Sequence, residues 1–389
     1  MKVKRLFDYA LQLVLMGFFK LICPLVRVLN RNYRNLWLVS ERGNDAGDNG
    51  YWLYRYLKEN QPQINCAYVI SKDSPDYEKV SQLGDIIHYR SFRHYLAYYC
   101  ADFLIGTHIY PASPDLILFY HLGSAGIKAR GKQVFLQHGI TQANMEWMYY
   151  PTLKLDLFIC GSVKEWEYIN KTFNHPNGVV QYLGLCRFDA LISPCEKKRE
   201  IVLMPTWRGS RYPDGEKFKE TLYYKTFQSL LDSDKLALLL DKYNCKLIFY
   251  PHIEMQKNIG CFYSHSENVI MGTKKMFDVQ TLLKESALII TDYSSIHFDA
   301  GYLEKPLLYY QYDEEIYYKN HYHRGYFDFD TMGFGPVCRT ETQLIDQIQQ
   351  FLQSDFKVSE QTKKRVHEFF PVRDDENCER IFKAIQSLR

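Results

Sequence analysis

Short, continuously apolar runs alternate with segments of helical periodicity along this chain of 389 residues. A strand whose two faces are both buried has no polar side, so such runs predict parallel sheets covered by helices on both faces. In the first half we predict strands at 36–40, 67–70, 85–89, 103–106, 133–136, 157–160 and 179–183.

The pattern starts again after the Ser-Pro pair and the charged run that occupy 193–200. We predict strands at 201–204, 246–250, 268–271, 288–290 and 306–310, with one long helix over 224–243. Two such halves predict an α/β fold of GT-B type, with two Rossmann-like doubly wound domains facing across a cleft. The predicted domains are 35–195 and 196–340, followed by C-terminal helices over 341–389.

The first 34 residues form a basic segment in which Asp8 is the only acid. Its longest uncharged stretch, 9–19, is shorter than a bilayer span, and Lys20 and Pro24 interrupt the next apolar run. A basic helix with a wide apolar face is typical of proteins bound to anionic membrane surfaces. We therefore predict an amphipathic N-terminal helix over 1–34 on the cytoplasmic face of the membrane. The alternative is a helix packed on the protein's own core.

Composition excludes several classes of partner. A formal net charge of +3 does not indicate a nucleic-acid partner. None of the ten cysteines forms a CxxC pair, so a zinc site of the usual spacing is not indicated, and their scatter is typical of an intracellular protein. We expect no metal and no other cofactor. The sequence does not indicate an oligomeric state.

Polar side chains collect where predicted strands end. In the first half, VFLQHGIT places His138 and Gly139 just beyond the apolar run 134–136. A histidine titrates near neutral pH and can take a proton from an alcohol. A structural histidine in a turn is the alternative for this segment.

Two strand ends of the second half carry cationic residues. IVLMPTWRGS places Thr206 and Arg208 after a strand, and KLIFYPHIEMQ places His252 after the next. A guanidinium matches phosphate oxygens in a fork, so Arg208 is predicted to clamp a phosphate. His252 can bind a phosphate as a cation or donate from one ring nitrogen.

A third strand of the second half ends in TDYSS, which contains Thr291, Asp292, Ser294 and Ser295 and opens a short helix. One interpretation is that Ser294 caps the helix. The other is that hydroxyls and backbone N–H groups hold a phosphate. No GxGxxG or GxxxxGK[ST] motif is present, which disfavours a classical dinucleotide site and a P-loop.

Six stretches between Ser40 and Val337 together resemble the CDP-glycerol glycerophosphotransferase family of teichoic acid and capsule enzymes. In chain order they are SERGNDAGDNGYWLYRYL, FLQHGI, MPTWRGS, FYPHIEMQ, TDYSSIHFDAGYLEKPLLYY and YFDFDTMGFGPV. The resemblance implies a GT-B fold, a peripheral membrane protein, and transfer of glycerol phosphate or ribitol phosphate from a CDP-activated donor. The acceptor would be a hydroxyl of a lipid-linked or polymeric molecule, with CMP leaving.

The resemblance also implies roles for site residues. His138 and His252 match the two family histidines, as the base near the acceptor hydroxyl and as a partner of the donor pyrophosphate. This places the acceptor in the first domain and the CDP-donor in the second. We assign the remaining donor-binding residues at strand ends: Thr206, Arg208, Thr291, Asp292, Ser294 and Ser295.

One departure leaves the donor polyol open. Family polymerases carry an arginine two residues before the second histidine, and this chain has Tyr250 there. Either one cationic phosphate contact is missing in this chain, or Arg208 supplies it. The alternative functions are a GT-B glycosyltransferase that uses a nucleotide sugar and a membrane-bound scaffold without activity.

Overall fold

The computed structural model describes residues 2–124, 129–208, 213, 215–320 and 323–388. The chain divides into two compact units. Unit 1 comprises Met1–Ile140, Glu146–Ala190 and Asp374–Arg389, and unit 2 comprises Thr141–Met145 and Leu191–Arg373.

The strands, in chain order, are β1 (Trp37–Ser40), β2 (Cys66–Ile70), β3 (Ile86–His88), β4 (Phe103–Gly106), β5 (Lys132–Phe135), β6 (Ala143–Asn144), β7 (Leu157–Cys160), β8 (Val180–Tyr182), β9 (Glu200–Leu203), β10 (Lys246–Phe249), β11 (Val269–Met271), β12 (Leu288–Thr291), β13 (Leu307–Tyr310), β14 (His323–Arg324) and β15 (Val337–Cys338). The α-helices are α1 (Lys2–Leu29), α2 (Asn49–Asn60), α3 (Tyr77–Ser81), α4 (Phe92–Cys100), α5 (Leu116–Ser124), α6 (Val163–Thr172), α7 (Cys186–Leu191), α8 (Leu222–Leu231), α9 (Asp234–Lys242), α10 (Val279–Glu285), α11 (Ile296–Tyr302), α12 (Glu314–Asn320), α13 (Phe329–Met332), α14 (Glu341–Gln353), α15 (Glu360–Phe369) and α16 (Asn377–Gln386). Helices of 3₁₀ type cover Arg31–Tyr33, Glu146–Met148, Gly215–Glu220 and Ile253–Cys261.

Unit 1 contains a parallel sheet in the order β3-β2-β1-β4-β5-β7-β8. The strand order reverses between β1 and β4, as in doubly wound folds. All residues of β1, β4 and β7 are buried, so the continuously apolar runs correctly predicted strands covered on both faces.

Unit 2 contains a second parallel sheet in the order β11-β10-β9-β12-β13-β15. Here the order reverses between β9 and β12. The carboxyl ends of β10, β9 and β12 are therefore neighbours at one edge of the sheet, which is where ligands bind in such folds. A short antiparallel pair, β6 with β14, also belongs to this unit.

The prediction of one helix over 224–243 is wrong, because two helices, α8 and α9, occupy this segment. Ser233 separates them and caps α9 by accepting a hydrogen bond from Leu236 N at 3.4 Å. A serine at this position favours a cap over a helix interior because its hydroxyl competes for backbone N–H groups. Apolar periodicity continues through both helices, so periodicity alone does not show the break.

The C-terminal helices, grouped over 341–389 from the sequence, divide between the units. Helices α14 and α15 belong to unit 2, whereas α16 belongs to unit 1. Phe382 of α16 packs with its ring centroid 5.8 Å from that of Trp37. Asn377, the first residue of α16, donates its backbone N–H to Asp189 Oδ1 at 2.9 Å. These aromatic and polar contacts hold the amphipathic α16 on unit 1, although the helices before it in the chain belong to unit 2.

The N-terminal helix α1 has one face packed on unit 1. Phe19 is fully buried, with its ring centroid 6.0 and 6.2 Å from those of Tyr95 and Tyr99 of α4. Arg27 forms an ion pair with Asp102 at 2.8 Å. This face of α1 is therefore packed on the protein's own core, which was the alternative to membrane binding that the sequence left open.

The other face of α1 is apolar and exposed. Its exposed residues are Leu13, Val14, Phe18, Leu21, Leu25, Val28 and Leu29. The segment Gln12–Leu29, with a mean hydropathy of 1.8, also meets the length and composition criteria of a membrane-crossing helix. Its length thus does not exclude a span, contrary to the sequence-based expectation. Signal sequences and the core helices of soluble proteins meet the same criteria, so these criteria alone do not assign a membrane span to α1.

Candidate active site: polar strand ends in each unit

His138 lies three residues beyond the end of β5 and its side chain is 60% exposed. Gln137 before it has a φ of 60°, in the left-handed region. The amide of Gln137 holds this conformation by donating to Ile159 O at 2.7 Å and to Glu165 Oε1 at 2.8 Å, both buried bonds. The strand end is thus rigid where it presents the imidazole to solvent.

Asp48 orients the imidazole of His138. His138 Nδ1 lies 2.5 Å from Asp48 Oδ2, and Arg187 Nη1 donates to Asp48 Oδ1 at 2.8 Å and to His138 O at 3.0 Å. Burial raises the pKa of Asp48, but the charges of His138 and Arg187 outweigh burial and hold this pKa below its ordinary value. The ionised carboxylate accepts the Nδ1 proton. The lone pair of the neutral ring then lies on Nε2, where it can accept a proton.

Glu41 supports the loop that presents Asp48. Its carboxyl oxygens accept N–H bonds from Gly47, Asp48 and Tyr51 at 3.1, 2.9 and 2.9 Å. Burial, with a further contribution from the charge of Asp48, raises the pKa of Glu41 to about 8. A Cβ added at Gly50 would lie 3.0 Å from Glu41 Cγ, so glycine allows this close approach.

Another histidine lies beside His138. The ring of His108 is edge-on to that of His138 at 6.5 Å between centroids, and Arg42 Nε donates to His108 Nε2 at 3.1 Å. Burial is the main cause that lowers the pKa of His108, and the charges of Arg42 and His138 lower it further. A neutral His108 adds no positive charge beside His138.

Sequence reasoning missed five residues of this group, namely Glu41, Arg42, Asp48, His108 and Arg187. The available signal was the stretch SERGNDAGDNG, which carries three acids among small residues and leads into α2. A carboxylate at a helix N-terminus in such a loop is ordinarily only a cap, and Asp48 does cap α2 by accepting from Asn49 N. Its contacts to His138 and Arg187 span 90 and 139 residues, which no local pattern shows.

In unit 2, Arg208 lies in the interior and bonds to protein acceptors. Its guanidinium contacts Asp313 Oδ2 at 2.8 Å and Asp292 Oδ2 at 2.6 Å, and it donates to Thr206 O at 2.8 Å. Four tyrosine rings surround its carbon Cζ at 5.2–5.9 Å, those of Tyr223, Tyr293, Tyr312 and Tyr317. The geometry does not support the predicted phosphate clamp, because Arg208 would have to leave these buried carboxylates to reach a ligand.

Asp292 connects the ends of β9 and β12. It accepts the backbone N–H of Thr206 at 2.9 Å and that of Tyr293 at 2.6 Å, and it also bonds to the Thr206 hydroxyl. Thr291 is buried and donates its hydroxyl to Met204 O at 2.7 Å. These contacts join Thr206, Asp292 and Arg208 in one network, with Thr291 bonded beside it, and hold the turn after β12.

The turn 292–295, here called the serine turn, leads into α11. Ser295 is at the N-cap position but makes no side-chain cap hydrogen bond. Ser294 Oγ accepts from Ile296 N only at 3.4 Å, a long contact. Capping therefore does not account for both hydroxyls.

His252 lies beyond the end of β10, the strand next to β9. Its Nδ1 accepts from Glu254 N at 3.3 Å, so the proton of the neutral ring is on Nε2. The ring stacks on Trp207, with 6.2 Å between centroids and 18° between planes. Tyr250, where an arginine is expected from the resemblance, is buried beside it.

Within the described ranges, no three or more His, Cys, Asp or Glu side chains are arranged to hold a metal ion. Metal independence of the reaction therefore stays a prediction.

The chain resembles curated proteins of teichoic acid synthesis. It is 30% identical over 375 residues to the minor teichoic acid biosynthesis protein GgaB of Bacillus subtilis (strain 168), covering 92% of this chain and 40% of GgaB. It is 25% identical over 223 residues to the teichoic acid glycerol-phosphate transferase of Staphylococcus aureus (strain NCTC 8325 / PS 47), covering 56% of this chain and 52% of that protein. The chain thus spans less than half the length of GgaB.

Solved structures share its fold. The wall teichoic acid polymerase TagF matches with a TM-score of 0.65 at 17% identity, covering 96% of this chain and 98% of that chain. A Methanocaldococcus jannaschii UDP-GlcNAc 2-epimerase, solved with UDP-GlcNAc and UDP, matches with a TM-score of 0.53 at 10% identity, covering 90% and 99%. These likenesses confirm the predicted α/β fold of GT-B type.

The resemblance inferred from the sequence motifs is confirmed by a family model, which matches residues 21–387. The protein therefore belongs to the CDP-glycerol:poly(glycerophosphate) glycerophosphotransferase family.

Proposed function

We propose that this protein transfers a polyol phosphate from a CDP-activated donor to a hydroxyl of a lipid-linked or polymeric cell-wall or capsule acceptor and releases CMP. The observation that carries the proposal is the His138–Asp48–Arg187 arrangement in a member of this family. TagF, which shares the fold, has been solved after soaking with CDPG. Glycerol phosphate and ribitol phosphate are both candidate groups, because curated relatives include polymerases of each.

The reaction begins with the acceptor hydroxyl. Its oxygen attacks the phosphorus atom that carries the polyol, and a new P–O bond forms. The bond from that phosphorus to the bridging oxygen breaks, and the bridging oxygen leaves with CMP. The hydroxyl proton passes to His138 Nε2 and then to solvent. Asp48 holds the ring during the transfer and stabilises the imidazolium that forms.

The donor is assigned to unit 2. His252, Ser294 and Ser295 lie at the carboxyl ends of neighbouring strands and offer hydrogen-bond donors to phosphate oxygens. Thr206 instead gives both its backbone N–H and its hydroxyl to Asp292, so it acts on donor binding through the turn that Asp292 holds. Arg208, Thr291 and Asp292 are assigned an indirect role in donor binding, because they hold the ends of β9 and β12 in place. This replaces the direct phosphate contact expected of Arg208.

The nucleotide that is released tests the donor. The purified full chain is incubated with CDP-glycerol, CDP-ribitol and a UDP-sugar in the presence of a lipid-linked acceptor, and the released nucleotide is separated by chromatography. We expect CMP from at least one CDP-polyol and no UDP from the sugar. UDP release without CMP release would favour the alternative, a glycosyltransferase that uses a nucleotide sugar.

We further propose that the exposed apolar face of α1 lies on the cytoplasmic surface of the membrane. Its packed face, with Phe19 and Arg27, keeps the helix attached to unit 1. Because the packed face of α1 is part of the fold, deletion of the whole helix would disturb unit 1. Substitution of residues on the exposed face is therefore the sharper test of membrane binding.

Charges placed on this exposed face should weaken membrane binding. The double variant Leu21→Glu/Leu25→Glu alters side chains that are 81% and 61% exposed and is expected to lower binding to anionic phospholipid vesicles at least about tenfold. Leu238→Glu on α9, at a residue that is 70% exposed, is the matched control and should bind as the unmodified protein does. Co-sedimentation measures both. Equal binding by all three proteins would refute a membrane role for this face.

A further inference from the structure

Gln142 connects the segment after His138 to the serine turn. It belongs to unit 2 and lies four positions beyond His138 in the sequence. Its Nε2 donates to Tyr293 O at 2.6 Å, and its Oε1 lies 2.9 Å from His297 Nε2. Neither Gln142 nor His297 was singled out from the sequence.

The hydrogen-bond directions in this network are determined. Because the amide nitrogen of Gln142 donates to Tyr293 O, its oxygen faces His297 and accepts the Nε2 proton. His297 Nδ1 is then an acceptor, and Tyr309 donates its hydroxyl to it at 3.0 Å. The Tyr309 oxygen in turn accepts the backbone N–H of Phe334 at 3.2 Å. Every polar atom of the His297 ring is therefore satisfied in one tautomer.

His297 is enclosed by aromatic rings. It is fully buried, and the centroids of Phe298, Phe327 and Phe329 lie 3.9, 4.7 and 5.5 Å from its own. Burial holds the pKa of His297 well below its ordinary value. The ring is neutral near pH 7, so it acts as a fixed donor rather than as a charge.

Two glutamines hold consecutive carbonyls of the serine turn. Gln142 bonds to Tyr293 O, and Gln311 Nε2 donates to Asp292 O at 3.1 Å. The C=O and N–H of one planar peptide unit point in opposite directions. Fixing the Tyr293 carbonyl therefore fixes the direction of the Ser294 N–H, on the side away from Gln142.

The backbone beside Gln142 is held independently of its side chain. Ala143 and Asn144 pair with Arg324 and His323 in the β6–β14 ladder. A Cβ added at Gly325 would lie 2.3 Å from Gln142 O, so only glycine allows this approach. A change of the Gln142 side chain should thus leave the segment in place.

We propose that Gln142, with His297, is a positioning residue that sets the orientation of the Tyr293–Ser294 peptide for the donor phosphates. This inference rests on the proposed function, which places those phosphates at the serine turn. Because Gln142 acts through the serine turn, its loss should weaken donor binding by releasing the Tyr293–Ser294 peptide from its fixed orientation. A structural brace would instead alter stability alone.

Gln142→Glu separates these roles by its pH dependence. An ionised carboxyl at position 142 still accepts the hydrogen bond from His297. It has no hydrogen to donate to the Tyr293 carbonyl, so its oxygen and the carbonyl oxygen repel each other. A protonated carboxyl restores the amide pattern, because its C=O accepts and its O–H donates. The neighbouring titratable and charged groups are His297 and Tyr309, which burial keeps neutral, Asp292, which is paired with Arg208, and the exposed His323 and Arg324 of β14. All of them are also present in the unmodified protein and in Gln142→Leu, so a pH dependence found only in Gln142→Glu reports the introduced carboxyl.

CDP-glycerol affinity is measured by calorimetry from pH 8 downwards as far as each protein stays folded, for the unmodified protein, Gln142→Glu and Gln142→Leu. CDP-ribitol replaces CDP-glycerol if only the former releases CMP. At pH 8 both variants should bind up to about tenfold more weakly, as expected for loss of one partly buried hydrogen bond. The Gln142→Glu deficit relative to the unmodified protein should shrink as pH falls, and the Gln142→Leu deficit should not. Gln181→Glu, which removes a surface bond to Gly178 O of 2.9 Å, is the matched control and should bind normally.

The outcomes distinguish this inference from the proposed function. If the unmodified protein binds neither CDP-polyol, the proposed function fails, and the inference fails with it. If it binds and Gln142→Glu binds equally at every pH, Gln142 is a structural brace and the inference alone is overturned. A deficit that does not depend on pH in Gln142→Glu also overturns the assigned hydrogen-bond pattern.

Discussion

Replacing His138 by alanine is expected to lower the rate of CMP release by about 10²- to 10⁴-fold, the usual contribution of a general base. The side chain is 60% exposed, so its removal leaves no cavity in the core, and thermal unfolding should change little because Arg187 still pairs with Asp48. The KM for the CDP-polyol should change little, because the donor is assigned to unit 2. Steady-state kinetics at saturating donor, with a melting curve of each protein, provide the measurement.

A second His–Asp pair supplies the control. His265 Nδ1 lies 2.8 Å from Asp232 Oδ1 in unit 2, and its side chain is 49% exposed. His265→Ala removes an imidazole of the same kind and should retain full activity. Asp48→Asn is expected to reduce kcat as well, because an amide does not stabilise the imidazolium. Near-normal turnover by folded His138→Ala would mean that another group takes the proton.

Removal of the Arg208 guanidinium should lower the free energy of unfolding more than any other substitution considered above. Arg208→Met leaves Asp292 and Asp313 buried without their cation, and breaking such a buried pair costs about 3–5 kcal/mol. Donor binding should fall as well, because Asp292 shapes the serine turn. Chemical denaturation gives the free energy of unfolding, and calorimetry gives the donor affinity.

Arg199 provides the matched comparison on the surface. It pairs with Asp355 at 2.7 Å, and the two side chains are 45% and 77% exposed. Arg199→Met should therefore cost only about 0–1 kcal/mol. If Arg208→Met were as stable as Arg199→Met but lost donor binding, Arg208 would be a phosphate ligand, as the sequence alone predicts, and our assignment would be wrong.

The sequence predicted the two sheets and the polar strand ends well because both depend on local patterns. Continuous apolar runs identify buried strands, and the polar residues directly after each run identify a strand end, as His138 and the serine turn show. The break at Ser233 was missed because apolar periodicity continues across it. Element existence was therefore more predictable than element boundaries.

The side-chain networks were less predictable because they depend on burial and on contacts distant in sequence. Arg208 was predicted to face a ligand because a guanidinium at a strand end fits phosphate, but two aspartates, one of them 105 residues away, enclose it. Asp48 and Gln142 resemble an ordinary cap and an ordinary loop residue. Only the fold shows that they bond to His138 and to the serine turn.

The most direct test of the central claim is the mass of the acceptor after reaction. A lipid-linked acceptor is incubated with the full chain and the CDP-polyol that yields CMP, and the product is analysed by mass spectrometry. With the unmodified protein the acceptor should gain one or more polyol phosphate units, and with His138→Ala it should show no comparable gain. An acceptor that gains a sugar from a nucleotide sugar, or no mass from any CDP-polyol, would contradict the central claim.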